Sequence, residues 1–180
     1  RTILIKHEEY KYEWPRFREA DEPKWVYFSS ISKDALDSYH DSVMDWLDEN
    51  PEIKFAFQPG TFQMEAGLEK MRRLYARADV VVLNREEAVY VSGGSYDDIH
   101  DLFNRFHQMG SKIVVITDGP AGAYASDGEN RFKMPLYPDP APPVERTGAG
   151  DAFASTFVAA IRKGNTIEGE LHRAPISAMN

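Results

Sequence analysis

Arg146-Thr147-Gly148-Ala149-Gly150-Asp151 runs straight into Ala152-Phe153-Ala154-Ser155-Thr156-Phe157, and the reading of that junction decides the rest. Two glycines bracket an alanine, so the backbone there can approach a ligand without side-chain obstruction. Beyond it Phe153, Phe157, Ala160 and Ile161 share one helical face, and Gly164 ends the run. The free amides of the first turn, together with the positive end of the helix dipole, then point at whatever lies over Gly148–Gly150. That is a site for an anion, best filled by a phosphate. Asp151 stands at the same helix start. An anion hole beside a carboxylate suits phosphoryl transfer to a hydroxyl, because the amides stabilise the moving charge and the Asp accepts a proton. The plainer alternative is a glycine turn with an Asp at the start of a core helix.

Working outward, Ala123–Ser126 and Arg131–Met134 flank Asp127-Gly128, a hairpin signal. The Pro-rich stretch from 135 to 143 joins that hairpin to the glycine turn and excludes regular structure. Upstream, Val80–Leu83 and Ile113–Ile116 are continuous apolar runs of the kind buried in parallel sheets. Trp25–Ser29 and Ile53–Phe57 read as further strands. Between them lie helical patterns: Ser32 to about Glu49, Met64–Arg77, a short helix from Arg85 broken at Gly93-Gly94, and a helix capped by Ser95 that closes at Gly110. Strands alternating with helices predict a doubly wound α/β layer, Rossmann-like and mostly parallel, with an antiparallel edge hairpin. Thr2–Lys6 and Tyr10–Tyr12 read as short strands of part of a small β lid within residues 1–15. Otherwise one domain spans 1–180, without repeats or low-complexity tracts.

Composition narrows the function. Hydrophobic residues at 42% belong to a globular chain. A formal charge of -8 offers no electrostatic gain to nucleic acid or an anionic membrane, so neither is expected as a partner. Cysteine is absent, which excludes disulfides and thiolate metal sites and fits a cytoplasmic location. No apolar run approaches the ~20 residues of a membrane helix, and no signal peptide is read. The five histidines are scattered without metal spacing, which predicts surface or helix-face roles.

In open α/β sheets ligands bind outside the carboxyl ends of the strands. There the sequence places Gln58-Pro59-Gly60, Asn84 and Thr117-Asp118-Gly119. Asn84 also reads plainly as the N-cap of the helix that follows, with acids favouring its first turn.

Thr147-Gly148-Ala149-Gly150-Asp151-Ala152-Phe153 resembles the C-terminal signature of the ribokinase-like (pfkB) carbohydrate kinases. The resemblance implies Asp151 as catalytic base and Gly148, Ala149 and Gly150 as the anion hole. Asn84-Arg85-Glu86-Glu87 is similar to the family's Asn-x-x-Glu motif, implying Mg²⁺ organised by Asn84 and Glu87. Thr117-Asp118-Gly119-Pro120-Ala121-Gly122 resembles its nucleotide loop, with Thr117, Gly119 and Gly122 on the nucleotide alongside Asn84 and Thr147. Ala174-Pro175-Ile176-Ser177 resembles the segment lining the adenine pocket, through Ser177. Glu145-Arg146 stand where the family usually has an Asp followed by a small residue or Pro. The implied activity is ATP-dependent phosphorylation of a hydroxyl on a sugar or related small molecule. The resemblance leaves open a monovalent cation, a homo-oligomer and the identity of the acceptor. Family members are longer. The part that precedes the lid and holds most of the sugar-recognition residues has no counterpart, and Arg1 stands where a cut sequence would open. A nucleotide-binding or regulatory fragment that needs a partner chain is therefore the rival expectation. A dinucleotide-binding oxidoreductase is rejected because Phe153 stands where Gly-x-Gly-x-x-Gly needs a third small residue, and a Walker loop because no Gly-Lys-Ser/Thr occurs.

Overall fold

The computed structural model describes residues 12–135 and 148–177. Four parallel strands, β1 (Trp25–Phe28), β2 (Lys54–Phe57), β3 (Val80–Asn84) and β4 (Ile113–Thr117), are followed by the antiparallel β5 (Ala123–Ser126) and β6 (Arg131–Met134). All six form one sheet in sequential order. The helices are α1 (Ser38–Glu49), α2 (Thr61–Glu65), α3 (Leu68–Arg77), α4 (Arg85–Ser92), α5 (Ile99–Met109), α6 (Ala149–Arg162) and α7 (Ile167–Ser177).

Strand alternation divides the core between the two sheet faces. Phe55 and Phe57, Val81 and Leu83, Val114 and Ile116 face α1, α3, α4 and α5. Their neighbours Ala56, Val80, Val82 and Val115 face Phe153, Ala154, Phe157 and Val158 of α6 and Leu171 and Ala174 of α7. A strand covered on both sides has no polar position to spare, which is why Val80–Leu83 is apolar throughout. Both faces carry helices, but the second is covered by α6 and α7, which follow the hairpin, rather than by crossovers between the parallel strands. Burying Phe153 and Phe157 contributes about 1.5–3 kcal/mol each.

The amino ends of the parallel strands are pinned by one buried carboxylate. Asp79 accepts from the Phe55 amide at 2.9 Å, Lys54 at 3.2 Å, Lys112 at 2.8 Å and Arg77 at 3.4 Å. Burial alone would raise its pKa; the bonds from Lys112, Phe55 and Lys54 overcome that and hold it below its ordinary value.

Several expected elements differ in detail. The helix predicted from Ser32 begins as a 3₁₀ turn at Lys33–Ala35, and α1 starts only at Ser38. The single helix expected over Met64–Arg77 is two, separated at Gly67, whose φ of 91° breaks the α geometry. Asp98, not Ser95, caps α5, accepting from the amides of His100 at 2.9 Å and Asp101 at 3.1 Å. Helix α7 is an addition to the expected elements, and the sequence conceals it because Pro175 stands within it. The strands Thr2–Lys6 and Tyr10–Tyr12 fall outside the described residues, except for Tyr12. Residues 12–15 adopt no regular structure.

Candidate active site

The site is built from the carboxyl ends of the parallel strands and the start of α6. Alternation from Trp25, Ala56, Val82 and Val115, which all lie on the α6 face, carries Tyr27, Gln58, Asn84 and Thr117 onto that face too. These four polar residues form a row across the strand ends. Above the row α6 opens at Gly148, left-handed with φ of 84°, and no side chain of the described residues caps it. The Ala152 amide already bonds the Gly148 carbonyl at 2.9 Å, so the amides of Ala149, Gly150 and Asp151 precede the helical ladder. A Cβ built on Gly148 or Gly150 would meet nothing within 4 Å. The backbone here faces open space, as an anion site requires.

Asp151 lies exposed in the first turn of α6. Its Oδ1 accepts from Gln58 Nε2 at 3.0 Å. The Gln58 Oε1 accepts in turn from the Tyr27 hydroxyl. Partial desolvation of the hydroxyl end, and then the negative charge of Asp151, push the Tyr27 phenol up to about 12, although the side chain as a whole is exposed. Glu87 is raised as well, by burial first; the Asn84 amide counters this and Asp151 adds to it. Two carboxylates therefore sense each other across the strand ends. Among the described residues, no Lys or Arg pairs with either.

Asn84 and Glu87 form a reciprocal capping box: the Glu87 amide donates to Asn84 Oδ1 at 2.8 Å and the Asn84 amide donates to Glu87 Oε2 at 2.8 Å. The helix-cap alternative raised by the sequence is thus realised, and it brings the Glu87 carboxylate to the site. No cluster of three or more His, Cys, Asp or Glu occurs among the described residues. A divalent ion here would be held by the remaining Glu87 oxygen, phosphate oxygens and water, the sparse protein ligation that suits Mg²⁺.

Beside the cap lies a cleft of about 260 Å³ lined by Asn84, Arg85, Glu86, Tyr96, Thr117, Asp118, Gly119 and Pro120. Gly119 (φ 47°) and Gly122 (φ 95°) turn the loop that leaves β4, closed by the Asp118 amide on the Gly122 carbonyl at 2.8 Å. Sequence reasoning missed the pair that braces this loop. Arg85 donates to Asp118 at 2.5 Å and to the Tyr96 carbonyl at 2.8 Å, and lies 4.6 Å from the centre of the Tyr96 ring. The sequence puts Gln58 at a strand end but gives it no role, and nothing in it singles out Tyr27. Thr147 and the Ser177 side chain fall outside the described residues; α7 brings the Ser177 backbone to its last position.

The family model of the pfkB carbohydrate kinases matches residues 8–179. The cytidine kinase of Thermococcus kodakarensis is 36% identical over 98 residues, covering 54% of this chain and 34% of that protein. The ATP-dependent 6-phosphofructokinase of Thermoanaerobacterium thermosaccharolyticum is 29% identical over 155 residues, covering 82% of this chain and 47% of that one. Arabidopsis thaliana ribokinase, solved with ribose and ATP, superposes with a TM-score of 0.71 at 21% identity, covering 87% of this chain and 48% of the other. The putative ribokinase II of E. coli, solved with ATP and Mg²⁺, gives 0.70 at 20% identity, covering 87% of this chain and 51% of the other. Likeness at such identities establishes the fold. The chain spans about half or less of the length of each of these relatives. With its glycine turn, the Asp151 helix start and the sheet beneath them inside the matched span, the chain belongs to the pfkB family of carbohydrate kinases.

Proposed function

We propose that this chain is the nucleotide-binding and catalytic part of a kinase that moves the γ-phosphoryl group of ATP to a hydroxyl of a sugar or sugar-like molecule. The observation that carries the reading is the placement of Asp151 in the first turn of a glycine-opened helix, bonded to Gln58 at the strand ends. The amides of Ala149, Gly150 and Asp151 take up charge on the transferring group. Asp151 accepts the proton of the attacking hydroxyl as the hydroxyl oxygen bonds to the γ-phosphorus and the bond from that phosphorus to the bridging oxygen breaks, releasing ADP. Thr117, Gly119 and Gly122 bound the nucleotide together with Asn84, and Thr147 and Ser177 are assigned to the same ligand by the family likeness alone. Mg²⁺ near Asn84 and Glu87, when bound, would neutralise phosphate charge; the paired negative charge of Glu87 and Asp151 favours a cation there.

Asp151→Asn keeps the shape and removes the basicity. Turnover should fall by at least the roughly 10²-fold typical of lost base catalysis, while ATP affinity measured by calorimetry hardly changes. Wild-type turnover in that variant would sink the assignment. A second reading is favoured by the edge of β1, which has no strand partner among the described residues on its outer side. On that reading the chain binds nucleotide but turns over only when a further segment or chain completes it. ATP binding without acceptor-dependent ADP release would support it.

A further inference from the structure

We propose that Gln58, itself held by Tyr27, positions the candidate base Asp151 and divides the work of its two oxygens: Oδ1 is occupied by the amide, and Oδ2 is left to receive the acceptor's proton. The inference rests on reading Asp151 as the base.

The geometry fixes each partner's role. An ionised carboxylate only accepts hydrogen bonds, so Gln58 must turn its Nε2 toward Asp151, where it stands 3.0 Å from Oδ1. That leaves Oε1 facing Tyr27, and only a protonated phenol can donate to it. The reverse amide orientation would set Oε1 against Oδ1, two acceptors without a proton between them. Partial desolvation and the charge of Asp151 keep the phenol protonated, with a value near 12, so the orientation holds throughout the range in which a kinase works. Among the described residues no hydrogen bond reaches Oδ2; the only other bond to Asp151 from outside the backbone is Ser155 Oγ to its carbonyl at 2.7 Å.

An amide is neither an acid nor a base in this range. Gln58 therefore cannot exchange the proton and cannot compete for it. When the acceptor's O–H bond breaks, the proton lands on Oδ2 and the carboxyl keeps its Oδ1 bond to the amide, so the catalytic group need not rotate between its two states. Without Gln58 the exposed carboxylate samples several rotamers, and a misplacement of about 1 Å is worth as much as 10²-fold in rate. Tyr27 and Gln58 are positioning residues that act through Asp151.

The test compares the full chain and its variants with MgATP and either ribose or cytidine as acceptor. Gln58→Leu, and Gln58→Glu, which keeps the shape but loses the donor, should each lower kcat about 10- to 100-fold while KM for ATP stays within about twofold. Tyr27→Phe should cost less, and Tyr27→Phe combined with Gln58→Leu should be no slower than Gln58→Leu alone, because Tyr27 acts only through the amide. Additive losses, wild-type kcat in the Gln58 variants, or a rise in KM for ATP at constant kcat would each overturn the positioning role. Turnover retained by Asp151→Asn would instead remove the base reading beneath it. If neither acceptor is turned over, the ¹H–¹⁵N cross-peaks of the Gln58 side-chain amide decide: they should shift in Asp151→Ala and in Tyr27→Phe, and unmoved peaks overturn the inference. Should Gln58→Leu fail to fold, Gln58→Glu and Tyr27→Phe carry the same comparisons.

Discussion

Gly150 and Asp151 are neighbours with opposite obligations, one to be absent and the other to be present. At Gly150 the protein itself asks for nothing: the backbone is helical and a Cβ would meet no atom within 4 Å. Gly150→Leu should therefore fold at least as well as the wild type, since replacing an exposed helical glycine gains up to about 1 kcal/mol. The same side chain would occupy the space over the first-turn amides and should weaken ATP binding at least tenfold, as read by calorimetric titration. Undiminished affinity in a folded variant would place the phosphates elsewhere. The helix start at Gly148–Asp151 was legible in the sequence because its signal is contiguous. The bonds from Tyr27 to Gln58 and from Gln58 to Asp151 span 31 and 93 residues. Neither a tyrosine nor a glutamine at a strand end carries a signal until the sheet has set them side by side.

Among the elements, legibility followed how many forces agreed. The hairpin around Asp127-Gly128 matched its expected ends because alternation and turn chemistry coincide there. The break at Gly67 and the late start of α1 carry no signal in the sequence because the apolar spacing of Met64, Leu68 and Met71 and of Leu36, Tyr39 and Val43 continues through both. The meeting of α1 and α2 carries a further consequence. His40 is 5% exposed, its Nε2 lies 3.2 Å from the Gln63 amide, and its Nδ1 finds no partner among the described residues. Burial holds the imidazole down at about 4, against 6.5 for the free group. The unfolded chain takes up a proton below about pH 6.5 that the folded chain refuses until about pH 4. Stability should therefore be fully present above 6.5 and fall as the pH drops through this window, by up to about 3 kcal/mol. Urea midpoints at pH 7 and pH 4.5 should differ more for the wild type than for His40→Leu; equal differences would rule out His40 as the source.

At the scale of the whole molecule, the sheet of the described residues runs from β1 at one margin to β6 at the other. β1 leaves Trp25 and Val26 half-buried and Tyr27 exposed, with no strand on its outer side among the described residues. Unpaired backbone beside apolar side chains favours association, so sedimentation velocity on the chain by itself should show concentration-dependent species above the monomer. A single monomeric boundary at every concentration would refute this. The strand order itself has a temporal meaning. Each strand of this sheet pairs with the one synthesised just before it, so a chain emerging from the ribosome can extend the sheet stepwise without waiting for a distant partner. The face carrying Ala56, Val80, Val82 and Val115 is different, since its cover lies in α6 and α7. Until those helices have been translated, the nascent sheet shows a bare apolar side. The helix that brings Asp151 to the strand ends thus also begins to cover that apolar face, and mutations that weaken α6 would reduce yield in the cell before they could be scored as loss of activity.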